Sequence, residues 1–451
     1  MKIAALALFL LFYTSVSFTQ TSSLVSGPMI GQVELRTARI WVETIPGASI
    51  QLRYWKKGMS STAKSLVKTT SKDAWFGPVV FDLVGLDINT LYEFQISGIG
   101  AGQANLATGS FQTKDLWQYR KPSPDFTFLT GSCHYTNERV YDRPGEPYGK
   151  RDTLIFGTMA REDAAFMLWL GDNWYTRDVD YQSEWGMWYR AHHTRINKVL
   201  QPFLKKMPHY AIWDDHDYGP NDSDKSFHLK DASRKVFMEY WANPSYGENG
   251  QGIYSKFNYA DVDFFLMDDR WFRSSDDMDA RIDGKANPAK RMWGEQQMEW
   301  LKNALLTSRT PFKLIVTGSQ TLNEASRYNC LQDYPIEFEE LMAFIGREKI
   351  AGIVFLTGDR HHSEVIKYER AGTYPLYDIT SSPLTSGVGR VGGTEKENPA
   401  RVPGTLVEDH NFSRIRVSGK LGERTLAVEF IGVQGQVLGK FSVKETELKA
   451  K

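Results

Sequence analysis

The chain has 451 residues, 41% hydrophobic and 24% charged, enough for two or three domains and a large core. Basic and acidic residues balance at 54 each, so no strong net field exists to attract nucleic acid or an anionic membrane. The tryptophan count of 13 is high, and many lie near acidic motifs. That predicts a partly aromatic cleft, with about half of the rings filling the core.

The N-terminus carries Lys2, an apolar run from Ile3 to Tyr13, and a small-residue zone ending near Gln20. This pattern predicts a secretory signal peptide over residues 1–20. The run is short for a membrane span. No cysteine follows it to take a lipid, and no twin arginine precedes it. The expectation is a soluble exported protein, secreted or periplasmic. Two cysteines, Cys133 and Cys330, raise a disulfide as the default in that compartment. A metal-ligand role for Cys133 competes with it.

Residues 23–113 read as a small all-β domain. Ala38, Ile40 and Val42 alternate, as do Ile50, Leu52 and Tyr54. Gly85-Leu86 followed by Thr90-x-Tyr92 resembles the tyrosine corner of fibronectin type III and immunoglobulin-like sandwiches. No residue set here suits catalysis, so packing or substrate presentation is the expected role. A polar linker over residues 114–125, with Pro122 and Pro124, marks a boundary.

From about residue 120 to 451 the pattern becomes α/β, with short apolar strands alternating with helical segments. Six strand candidates end in polar clusters. Phe126 to Thr130 runs into Gly131-Ser132-Cys133, and Ala165 to Leu170 into Gly171-Asp172. His209 to Trp213 runs into Asp214-Asp215-His216-Asp217, and Val262 to Met267 into Asp268-Asp269-Arg270. Phe312 to Thr317 runs into Gly318-Ser319-Gln320, and Ile353 to Thr357 into Gly358-Asp359-Arg360-His361-His362. Open α/β sheets bind ligands at such carboxyl ends, so six of them predict one polar site. Residues 181–200 and 294–306 carry apolar stripes at helical spacing. The tail from Phe412 to Val443 alternates and is expected to complete a sheet. Residues 378–404, rich in Ser, Gly and Pro, are expected to form a loop over the cleft.

Carboxylates crowded at one edge repel unless cations neutralise them. Asp, Asn and His are ordinary ligands of divalent metals, and a central carboxylate can bridge two ions. Thiolate and phenolate donors suit a ferric ion, whereas Asp and Asn oxygens suit a harder ion such as calcium. Spacing alone therefore suggests dinuclear metal hydrolysis without identifying the metals.

Six motifs occur in order: Gly131-Ser132-Cys133, Gly171-Asp172-x-x-Tyr175, Trp213-Asp214-Asp215-His216-Asp217, Asp268-x-Arg270-x-x-Arg273, Gly294-x-x-Gln297-x-x-Trp300-Leu301 and Thr357-Gly358-Asp359-x-His361. Together they resemble the alkaline phosphatase D family of the metallophosphatase superfamily. The resemblance implies a four-layer α/β/β/α catalytic domain behind a fibronectin type III-like sandwich. It implies hydrolysis of phosphomonoesters and phosphodiesters outside the cytoplasm, with Fe3+ and Ca2+. By position, Cys133 and Tyr175 match ferric ligands, Asp172 the shared carboxylate, and Asp359 and His361 the ligands of the last motif. Asn221 matches the family's metal-binding asparagine, although local spacing departs there and Asp215 is the alternative. His362, directly after His361, is a second departure.

The mechanism expected on this basis is in-line attack on phosphorus by hydroxide held on the metals. His216, flanked by carboxylates, is the candidate acid for the leaving oxygen. Arg270 is the candidate phosphate clamp, with a salt bridge to Asp268 or Asp269 as its structural alternative. The expected partners are small phosphate esters, with no specific nucleic-acid or membrane binding, and the chain is expected to be a monomer. The competing readings are a phospholipase-like hydrolase on the same fold and a catalytically idle surface-binding protein.

Overall fold

The computed structural model describes residues 23–99, 105–142, 152–326, 328 and 330–449. The expected signal peptide, residues 1–20, lies outside these. The first seven strands are β1 (Leu24–Val33), β2 (Thr37–Thr44), β3 (Ser49–Lys56), β4 (Lys64–Thr69), β5 (Gly77–Val84), β6 (Leu91–Gly98) and β7 (Asn105–Gln112). They form two sheets, β1-β2-β5 and β4-β3-β6-β7. Alternation decides which faces meet: Ile40, Val42, Leu52, Phe81, Phe94 and Ile96 are buried in one cluster between them.

The tyrosine corner forms, with the Asp87 N–H donating to the Tyr92 hydroxyl at 2.9 Å. Replacing Tyr92 with phenylalanine leaves that N–H without its partner. The expected loss is about 1–2 kcal/mol of stability. Urea melts of the variant check this.

The sandwich docks on the second domain through its three-stranded sheet. Gln32 N–H donates to Ala242 O at 3.0 Å, and the Trp41 indole donates to Glu239 O at 2.8 Å. The buried Glu43 accepts from the Tyr240 hydroxyl at 2.9 Å and pairs with His192 at 2.7 Å. Met29 and Trp41 belong to the core of the second domain rather than to that of the sandwich. The linker therefore separates two folds that share one packed interface.

The second domain continues through β8 (Phe126–Gly131), α1 (Asp152–Met159), β9 (Met167–Leu170), α2 (Glu184–Arg195), α3 (Gln201–Leu204) and β10 (His209–Ile212). A short α4 (Asp215–Tyr218) and α5 (Lys230–Tyr240) follow, then β11 (Ser255–Tyr259) and β12 (Val262–Leu266). A small hairpin, β13 (Arg281–Ile282) and β14 (Lys285–Ala286), precedes α6 (Gly294–Thr307), β15 (Phe312–Val316) and α7 (Pro335–Arg347). The chain ends with β16 (Ile353–Thr357), β17 (Glu364–Tyr368), β18 (Leu376–Thr380), β19 (Asn411–Ser418), β20 (Thr425–Gly432) and β21 (Val437–Lys444).

Two six-stranded sheets result, ordered β10-β9-β8-β19-β20-β21 and β11-β12-β15-β16-β18-β17. They pack on each other through edge-to-face rings such as Phe128 and Phe264, 5.3 Å apart. Helices cover the outer faces. Phe156 of α1 meets Trp169 of β9, and Trp300 of α6 meets Phe265 of β12. This is the expected four-layer α/β/β/α arrangement, and the C-terminal strands complete the first sheet. All six expected strands are present. The tryptophans do not reach the cleft, however. Trp169, Trp174, Trp213, Trp241 and Trp293 are fully buried, because packing between layers takes the largest rings.

Candidate metal centre

Four strand ends, not six, build the site. β8, β9 and β10 lie side by side in the first sheet, and β16 is central in the second. Their carboxyl ends deliver Cys133, Asp172, Asp215, His216, Asp359 and His361 to one place. The other two ends serve as supports. Asp268 accepts from the Trp213 indole at 2.8 Å and from the N–H groups of Ile253 and Trp271. Asp269 accepts from Ser319 N–H at 2.7 Å.

The approach is close enough to require glycine twice. A Cβ on Gly171, which has φ +89°, would lie 2.6 Å from the Asp214 Cβ. A Cβ on Gly358 would lie 2.7 Å from Leu170 O and Ser132 Cβ. Cys133, Asp172, Asp359 and His361 all take left-handed backbone angles, with φ between 53° and 64°. Non-glycine residues adopt this region at a cost, and such outliers concentrate where function fixes a side chain. The turn aims each side chain off the strand axis into the gap between the sheets.

Asp172 sits at the centre. Its ligand oxygen, the Cys133 sulfur and a His361 nitrogen lie within 4.8 Å of one another, and so do Asp172, Asp215 and His216. One carboxylate thus belongs to both groups. The Tyr175 hydroxyl donates to Asp172 Oδ2 at 2.8 Å and lies 3.2 Å from His361 Nε2. Cys133 Sγ is 3.5 Å from Asp172 Oδ2 and accepts from the Ser382 hydroxyl at 3.1 Å. His361 N–H donates to the same Ser382 at 3.0 Å, which links the two ends of the ligand set. His216 packs on the Tyr175 ring at 4.1 Å.

The electrostatics describe an anionic cavity. Burial raises the Asp172 carboxyl well above the usual range, and Cys133, Asp215, Asp214 and Asp217 add to it. Burial and then Asp359 push the Cys133 thiol up to about 12. Burial, Asp172 and Cys133 hold Tyr175 well above the ordinary phenol. Asp215 behaves oppositely: burial opposes its ionisation, but the charge of Arg270 and the Asp222 N–H keep it below the usual range. The His216 Nδ1 atom and the Asp214 Oδ2 atom are buried without a hydrogen-bond partner among the described residues.

A sulfur, a phenol, carboxylates and imidazoles converge here, with the buried Arg270 engaging Asp214 rather than Asp172. Such a donor set fits two cations sharing Asp172.

Several expectations change in three dimensions. Arg270 does not reach the cleft as a phosphate clamp. It is 2% exposed and forks on Asp214 at 2.5–2.6 Å, 4.0 Å from Asp215, so neither Asp268 nor Asp269 is its main partner. His216 is not held in its charged form, because burial lowers it more than Asp215 and Asp359 raise it. The alternatives around Asn221 and His361 also separate. Asn221 is exposed on the cleft wall with its amide on Asp222, whereas Asp215 lies inside the group. His361 faces Tyr175, and His362 turns to Glu364 at 3.3 Å. Both cysteines are free, so no disulfide forms.

The cleft over this centre has a volume of about 710 Å³. Its aromatic walls are tyrosine: Tyr135, Tyr141, Tyr175, Tyr181 and Tyr328. Asp178 also lines it and accepts from the Tyr181 hydroxyl. Gly389, Arg390, Gly392 and Glu395 line it too, so the Ser-Gly-Pro tract does border the cleft after β18 ends at Thr380. Ser382 and the wall tyrosines other than Tyr175 escaped sequence reasoning. Only the small-residue tract hinted at Ser382, and no motif marks Tyr135, Tyr141, Tyr181 or Tyr328.

Two stacked mixed sheets with an acidic, thiol- and phenol-bearing centre at their strand ends define a metallophosphatase-type domain. The PhoD-like phosphatase family model matches residues 145–419, more than half of the sequence, and the chain belongs to that family. It is 23% identical over 327 residues to alkaline phosphatase D of Bacillus subtilis (strain 168), covering 62% of this chain and 52% of that protein. The match thus spans about half the length of that curated relative. A solved structure of PhoD superposes with a TM-score of 0.77 at 18% identity, covering 95% of this chain and 92% of the other. At that identity the likeness establishes the fold. Among the described residues, no helix is long and apolar enough to cross a membrane.

Proposed function

We propose that this chain is a metal-dependent hydrolase of phosphate esters, acting as an alkaline phosphatase or phosphodiesterase at a dinuclear site. The observation that carries the reading is Asp172, shared by two groups of ligand-type side chains within 4.8 Å. Cys133, Tyr175, Asp172 and His361 would hold one cation, for which the anionic thiolate and phenolate donors favour Fe3+. Asp172 and Asp215, with Asn221 and Asp359 at the cleft wall, would hold the second, for which their oxygens favour Ca2+.

When bound, the cations polarise the phosphoryl oxygens and activate water for in-line displacement. The protein's own side chains prepare the site for that. Burial favours the protonated forms of Cys133 and Tyr175, so metal binding there would release their protons to solvent. Ser382 fixes the Cys133 sulfur and the His361 backbone together, which sets the ligand spacing. Neutral His216 beside the centre can move a proton at Nδ1, which has no other partner. Arg270 holds Asp214 and stands close to Asp215, keeping the latter ionised as a ligand.

The family relationship and the donor set support this reading, the N-terminal pattern supports a secreted or periplasmic location, and the enzyme is proposed to be a monomer. The same pattern supports processing after residues 1–20, leaving a sandwich of residues 23–113 and a catalytic domain of residues 120–451. Purified protein should contain iron and calcium and should turn over p-nitrophenyl phosphate, bis-p-nitrophenyl phosphate or both. Absence of both metals, with no turnover of either ester after metal supplementation, would overturn it.

A further inference from the structure

The cleft is much larger than its metal pole. At about 710 Å³ it falls in the range that encloses a drug-sized ligand, whereas a phosphate group needs only the floor. The walls above the floor are aromatic, and they change character with depth. Tyr135 and Tyr175 are buried 5.0 Å from each other, and the Arg177 guanidinium covers Tyr135 at 4.2 Å. At the rim, Tyr141 is 49% exposed and Tyr328 is 64% exposed.

Tyr328 is exposed but held. The Arg360 guanidinium lies 4.6 Å from its ring centroid. Arg360 is itself fixed by Ser326 at 2.8 Å and by Glu395 at 2.5 Å. Ser326 also exchanges hydrogen bonds with the Tyr328 backbone at 2.8 and 3.1 Å. A cation thus braces one face of the ring while much of the ring is open to solvent. An aromatic ring fixed before binding loses little entropy when a second ring stacks on it. Such platforms accept any planar base, because every base has a π-face. Arg390 lines the same cleft, with a side chain 75% exposed and a 3.5 Å pairing to Glu408.

We propose that the mouth of the cleft, centred on Tyr328 with Tyr141, is a subsite for a planar aromatic group esterified to the substrate phosphate. This makes nucleotide-type and aryl phosphodiesters the preferred substrate class. The proposal rests on the reading of the metal centre as a phosphate-ester hydrolase. Water adds to phosphorus and the P–O bond to the leaving group breaks, while the aromatic ester group stays on the phosphate and stacks at the rim.

The test compares p-nitrophenyl thymidine 5′-phosphate with p-nitrophenyl methyl phosphate. Both lose p-nitrophenolate, so only the retained group differs. The thymidine ester is expected to show a KM about 10-fold lower at similar kcat. Tyr328→Ala should bring the two within about 2-fold, and Tyr328→Trp should keep the preference. A p-nitrophenyl phenyl phosphate arm separates a general aromatic preference from a nucleoside-specific one. Calorimetry on the metal-loaded protein, with adenosine 5′-monophosphate against methyl phosphate, reads the subsite without turnover. Equal affinities in the native protein, or a preference unchanged by both Tyr328→Ala and Tyr141→Ala, would overturn the proposal. No turnover with a retained preference for adenosine 5′-monophosphate would strike only the hydrolase reading.

Discussion

Replacing Asp172 with asparagine is expected to lower kcat/KM on p-nitrophenyl phosphate by on the order of 10³-fold, about 4 kcal/mol of transition-state stabilisation. Asp172 is the one carboxylate common to both ligand groups, so its loss affects both cations together. Metal analysis of the variant should show reduced iron and calcium. The same substitution should stabilise the metal-free protein. Burial above all, with the neighbouring acidic groups, holds the folded-state carboxyl well above its unfolded value. A carboxyl shifted that way favours folding while it is protonated, and the advantage is lost as pH rises through the folded-state value. Metal-stripped Asp172→Asn should therefore melt above the metal-stripped native protein at pH 8. The gap should be about 1 °C for each kcal/mol recovered in a chain of this length and should shrink at pH 5. A gap that does not change with pH would show that burial does not shift the Asp172 carboxyl. With both metals present the order should reverse, because the native protein alone retains the ions.

The second large effect concerns Cys133 and Tyr175. A ferric ion held by a thiolate and a phenolate should give the purified protein a visible charge-transfer band. Tyr175→Phe removes the phenolate 2.8 Å from the shared carboxylate, and Cys133→Ala removes the sulfur 3.5 Å from it. Each variant should shift or weaken the band, and the double variant should abolish it. Activity should fall by about 10²-fold in each single variant, on the scale of losing one well-placed charge-stabilising group. Survival of the band in both single variants would reassign the ferric ligands. Loading apo protein with iron should also release protons, because burial pushes the Cys133 thiol up to about 12 and holds Tyr175 above the ordinary phenol. A pH-stat records this release, and the double variant should lose most of it.

The order of strands and the identity of most ligand-type side chains were legible in the chain itself. A run such as Ala165 to Leu170 that stops at Gly171-Asp172 announces a strand, its carboxyl end and a carboxylate beyond it. The reason is local. Apolar runs and glycine breaks report strand length and turn position, and those depend on neighbours in sequence. The tyrosine corner was legible on the same ground, since Tyr92 and Asp87 are five residues apart.

Sheet order is not local, and it decided the rest. Asp172 and Asp359 end equivalent-looking runs with Asp268, yet β9 and β16 meet across the two sheets while Asp268 braces Trp213. Arg270 carries the side chain best suited to phosphate, but the turn that follows β12 gives it to Asp214 instead. His361 and His362 are adjacent and chemically identical. A left-handed turn at His361 points one at Tyr175 and leaves the other to Glu364. The wall of tyrosines was hidden for the same reason. Residues from 135 to 328 become neighbours only when the loops above both sheets close around one cleft. The sequence by itself thus determined the elements, the strand ends and the donor types. Tertiary packing alone decided which ends converge, because that choice depends on how distant strands share a sheet and how two sheets share a core.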